Sequence, residues 1–89
     1  MKRFYKITIR TRDIFNFTTA VVIKQYDTQP FIFATHNSKD GQLVDLLISC
    51  TLNEKLIISV ALKDYILRMV PVSEDGKELS LIERLVGVW

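Results

Sequence analysis

An α+β fold, mostly β, follows from three features of this sequence. Two stretches alternate apolar and polar residues. β-branched residues dominate several further runs. The period changes from two to that of a helix near the C-terminus. The expected architecture is an antiparallel sheet of about six strands, rolled into a small open barrel and capped by a C-terminal helix.

The first strand is the clearest. Over residues 3–11, Tyr5, Ile7 and Ile9 point one way while Lys6, Thr8 and Arg10 point the other. Residues 14–26 admit two readings. As a strand, Phe15, Phe17, Thr19, Val21 and Ile23 share a face; as a helix, Ile14, Phe17, Val21 and Tyr26 form a stripe. The run Thr18 to Ile23 is rich in β-branched residues, whose χ1 freedom is restricted in a helix. That favours the strand. A three-residue loop, Thr11-Arg12-Asp13, would then set Ile9 against Phe15 and Ile7 against Phe17, aligning both apolar faces. The alternative keeps residues 14–26 helical.

Pro30 closes a turn, and Phe31 to Thr35 form a third strand. Residues 36–41 read as a polar loop with a turn signal at Asp40-Gly41. Residues 43–52 and 56–63 read as a second hairpin about Asn53-Glu54-Lys55, with Cys50 opposite Ile58 and Ile48 opposite Val60. Tyr65 to Val72 form a sixth strand, Ser73 to Gly76 a turn. Leu79, Ile82, Leu85 and Val86 recur at helical spacing ahead of Gly87, a helix-stop signal.

A chain of 89 residues supports one domain, residues 1–89. Its hydrophobic share is 48%, including ten Ile, ten Leu and eight Val. A domain this small cannot hide all of them, so an exposed apolar patch is expected. A protein partner or a second copy would cover it, a dimer being the commonest closed assembly.

The catalytic inventory is thin. His36 is the one histidine and Cys50 the one cysteine. Cys50 falls on an apolar strand face, where a thiol acts as a small hydrophobe. His36 falls in a polar loop with no second ligand at metal spacing. Zinc, EF-hand and phosphate-loop patterns are absent from the sequence. No enzymatic activity, no cofactor and no metal is therefore expected. A single cysteine allows no internal disulfide, and no run of 18 apolar residues occurs. A cytoplasmic protein without a membrane anchor is the expectation.

Charge is uneven. Residues 1–26 carry six bases and one acid, a balance of +5, and the rest balances at −3. Lys2, Lys6 and Arg10 share one face of the first strand, spaced roughly 13 Å apart. Arg12 and Lys24 extend the row. Such a row can meet phosphates or an acidic surface, or can simply keep a strand soluble. The tail residues Leu85, Val88 and Trp89 are candidate interface anchors, Trp being rich in interface energy. The sequence thus points first to a small regulator or inhibitor that acts through protein contacts and self-associates. A nucleic-acid-binding accessory protein using the basic face is the alternative.

Overall fold

A computed structural model of the chain describes residues 2–23, 31–39 and 41–80. Six elements follow one another: β1 (Arg3–Arg10), α1 (Ile14–Ile23), β2 (Phe31–Ser38), β3 (Gly41–Cys50), α2 (Leu52–Ala61) and β4 (Ile66–Val72). A single 3-10 turn, Thr11–Asp13, leads from β1 into α1. The four strands form one antiparallel open sheet in the order β2-β3-β1-β4. This is the split β-α-β arrangement, with β1 and β3 as the inner pair.

The α+β class and the β-rich content agree with the sequence reading. The six-stranded roll does not, because two of its strands are helices. Residues 14–23 take the helical alternative. Phe17 and Val21, four apart, are fully buried, and Ile14 and Ala20 pack beside them. This face covers the apolar side of β1 and β3. Propensity costs a few tenths of a kcal/mol per β-branched residue, and burying a Phe and a Val outweighs that sum. β1 pairs instead with β3 and β4, and across β3 Tyr5 stands opposite Ile48, Ile7 opposite Leu46 and Ile9 opposite Val44.

The second predicted hairpin fails at Thr51. Its hydroxyl accepts from the Glu54 N–H at 3.2 Å, and Glu54 Oε1 accepts from the Thr51 N–H at 2.9 Å. This capping box satisfies two helix-end donors and starts α2 at Leu52. The chain therefore leaves the sheet after Cys50. Ile58 and Leu62 turn inward, while Val60 faces outward rather than opposing Ile48.

The core lies between the helices and one sheet face. Tyr5, Ile7 and Ile9 of β1 meet Val44, Leu46, Ile48 and Cys50 of β3, beneath Phe17, Val21, Ile58 and Leu62. Burial pushes the Cys50 thiol up to about 11, with the nearby Glu54 carboxylate adding to the rise. The Tyr5 phenol is likewise raised by burial.

The β2–β3 hairpin is tighter than the expected loop, with β2 running to Ser38 and β3 starting at Gly41. Gly41 has φ +107°, a conformation open to glycine at little cost. After β4, Ser73 and Lys77 close a turn through the Ser73 N–H to Lys77 carbonyl bond at 2.8 Å. The chain then runs back beside β4, where Glu78 bridges to Val72. Gly76, at φ +86°, sits against the ring of Phe33 from the far edge strand. The expected C-terminal helix lies outside the described residues.

Candidate interaction surface

The sheet has a second face, opposite the helices. The strand register places Lys6, Thr8 and Arg10 there, beside Leu43, Asp45 and Leu47 of β3 and Arg68, Val70 and Val72 of β4. β1 is thus an inner strand, and its cations are not edge guards. They are also partly matched. Lys6 Nζ lies 3.4 Å from Glu78 Oε1, which Arg68 also meets at 2.8 Å. The Arg68 hydrogen bond, with Lys6 adding to it, holds the Glu78 carboxyl below its usual range. Arg10 and Arg12 share Asp13, each at 3.9 Å. Of the predicted basic row, Lys2 is exposed just ahead of β1. Lys6 and Arg10 share the second face, and Arg12 stands in the 3-10 turn beyond it. Lys24 lies outside the described residues, as do Leu85, Val88 and Trp89.

One polar cluster sits on this face that the sequence reading missed. Thr8 Oγ1 donates to Asp45 Oδ1 at 2.6 Å, and His36 Nε2 lies 3.4 Å from the same oxygen. His36 belongs to edge strand β2, not to a loop, so the hairpin register carries it toward Asp45. Asp45 itself is mostly buried. The carboxylate stands between hydroxyl and imidazole. Nucleophilic activation needs the imidazole in the middle, taking the hydroxyl proton while a carboxylate orients it. As arranged, the cluster ties three neighbouring strands together across β1, β3 and β2. No group of three or more His, Cys, Asp or Glu able to hold a metal occurs among the described residues. Among them, too, no helix is long and apolar enough to cross a membrane.

The more distinctive surfaces are apolar. Every residue of β2 is exposed, including Phe31 at 64%, Ile32 at 54% and Phe33 at 43%. Ile32 is turned toward the helix side and Phe31 toward the second face, as their partners Leu46 and Leu47 indicate. Both sides of this strand therefore carry exposed apolar side chains, although Phe33 also rests against Gly76. On α2, Leu56, Ile57 and Val60 form an exposed stripe at helical spacing. Phe15 stands out from α1 in the same way. The surplus of aliphatic residues pointed to such patches, but assigned them to no element. In α2 the signal was present as Thr51-Leu52-Asn53-Glu54, a capping-box pattern.

No protein-family model matches the chain, and no curated protein or solved structure matches it.

Proposed function

We propose that this chain is a small non-enzymatic binding protein, a regulator or inhibitor, that acts through protein–protein contacts and self-associates. The observation that carries the reading is the placement of its exposed apolar residues. Among the described residues, six of the eight large exposed apolar side chains gather on one edge strand, Phe31 to Phe33, and one helix stripe, Leu56 to Val60, while Phe15 and Leu67 stand apart. Contiguous patches of this kind mark interaction sites in water-facing proteins. The non-enzymatic part is supported by the Thr8–Asp45–His36 arrangement, whose order does not activate the hydroxyl. A buried thiol raised to about 11 suits a structural rather than nucleophilic cysteine, and a reducing, cytoplasmic setting keeps it so.

Light scattering after size exclusion, over a dilution series, tests the reading. A mean mass that falls on dilution is the expected result. A strict monomer throughout removes self-association from it. The alternative, nucleic-acid binding through Lys2, Lys6, Arg10, Arg12 and Lys24, draws less support, since Lys6, Arg10 and Arg12 already face carboxylates. Steeply salt-dependent oligonucleotide binding that is lost in a Lys6→Glu, Arg10→Glu variant would move the reading there.

A further inference from the structure

The two edges of the sheet are built differently. β4 is blunted as an edge. Pro71 offers no N–H, the register slips between Thr8 and Ile9, and Glu78 already bridges to Val72 on the outer side. β2 shares the register slip, at Phe33, but among the described residues it has no proline and no segment bridged to its outer rim. Its eight residues hold no Lys, Arg, Asp, Glu or Pro, and its pairing among the described residues is with β3 alone. One irregularity falls at Phe33, and Ala34 to Ser38 follow in regular register with β3. Such an edge offers a row of backbone donors and acceptors to any strand that meets it.

Resting on the self-association reading above, we infer that β2 is the contact, and that its partner is β2 of a second copy, antiparallel across a two-fold axis normal to the sheet. The axis keeps each sheet face continuous through the join. The eight-stranded sheet that results pairs Phe31-side residues with their own kind, and helix-side residues with theirs. Charge permits this. A strand paired with its own copy sets like residues near like residues, which is costly for strands rich in Lys, Arg, Asp or Glu, and Phe-Ile-Phe-Ala-Thr-His-Asn-Ser holds none of these. The exposed apolar side chains on both faces of β2 gain cover at the same time.

The area sets the strength. At their exposures, Phe31 and Phe33 leave about 200 Å² of ring bare in each copy. With Ile32 and the strand backbone added, the contact stays below the roughly 800 Å² per partner of a stable interface. The dimer is therefore a weak one, with Kd on the order of micromolar to tens of micromolar.

Sedimentation of the full chain from about 1 to 500 µM tests this range of affinity. Thr35→Lys and, separately, Asn37→Lys place like charges across the axis at exposed positions. Ile57→Lys on α2 is the control. Circular dichroism confirms folding of each variant, and amide exchange of the wild-type chain reads β2 directly. The expected result is a dimer weakened at least tenfold by either β2 variant and unchanged by Ile57→Lys, with β2 amides gaining protection as concentration rises. A dimer lost in Ile57→Lys and indifferent to both β2 variants would overturn the β2 contact and leave self-association standing. A monomer at every concentration would overturn both. Protection of β2 amides that does not change with concentration in a dimerising chain also counts against the contact.

Discussion

Ile58 and Val60 are two residues apart, and the two accounts of residues 52–61 treat them oppositely. In a hairpin both would sit on the apolar face, Val60 against Ile48. In the helix Ile58 is fully buried and Val60 is 70% exposed. Ile58→Ala removes three buried carbons, about 2.4 kcal/mol at 0.8 per methylene. The cavity left behind brings the cost to about 3 kcal/mol, within the usual 2–5. A domain of this length is stable by roughly 4–13 kcal/mol, so this variant loses a large part of the total. Its Tm should fall by roughly 12–24 °C. Val60→Lys puts a charge where a strand would have buried it, at a cost of several kcal/mol. On the outer face of α2 it should stay within about 0.5 kcal/mol, a Tm shift under about 4 °C. Urea denaturation and thermal melts of both variants, at concentrations that keep the chain monomeric, decide the matter. A Val60→Lys variant as damaged as Ile58→Ala would refute the helix and the packing built on it.

Three further outcomes follow from the same geometry. Thr51→Ala should cost about 1 kcal/mol in urea denaturation, and adding Glu54→Ala should cost less than the two losses summed, since both belong to one capping box. Gly76→Ala should destabilise by more than about 1 kcal/mol, because φ is +86° and the new Cβ would stand 2.6 Å from the Phe33 ring; shortening Phe33 to Ala should recover the steric part of that loss and not the backbone part. Cys50 should resist a thiol reagent at pH 8 in the folded chain and react on unfolding. Its raised pKa also has a stability consequence. Below about pH 9 the thiol is protonated in both states and contributes no slope. Between about 9 and 11 only the unfolded state gives up the proton, so stability falls as pH rises, and Cys50→Ala should remove that fall up to where Tyr5 begins to ionise.

The parts of the fold that were legible in the sequence are those where one periodicity stands alone. β1 alternates without ambiguity, and Tyr5, Ile7 and Ile9 are all fully buried. β3 and β4 were placed within two residues of their observed bounds, and Cys50 was expected on an apolar face. The helices were obscured for a physical reason. Residues 14–23 and 52–61 are apolar on more than one side, because each leaves large side chains exposed: Phe15 in α1, and Leu56, Ile57 and Val60 in α2. With apolar residues on both faces, a period of two fits as well as a period of 3.6. Burial against the sheet then decides, and the sequence does not display it. Only the cap at Thr51 was local enough to break the tie. The Thr8–Asp45–His36 cluster was hidden for another reason. Its members are 37 and 9 residues apart and meet only once β2, β3 and β1 are in register.

The return of the chain beside β4 bears on how large an assembly can grow. A sheet with two open rims can add copies without limit, each new molecule offering a fresh rim, and the product is a ribbon. Here Glu78 occupies the outer side of Val72 while Pro71 withholds a donor next to it. At that rim the end of β4 is covered by the chain's own return. In the inferred β2 dimer, joining uses the rim that lacks this cover, which favours a pair over a ribbon. On that inference the short hairpin after β4 would act as a chain terminator, turning an edge prone to fibres into one that counts to two.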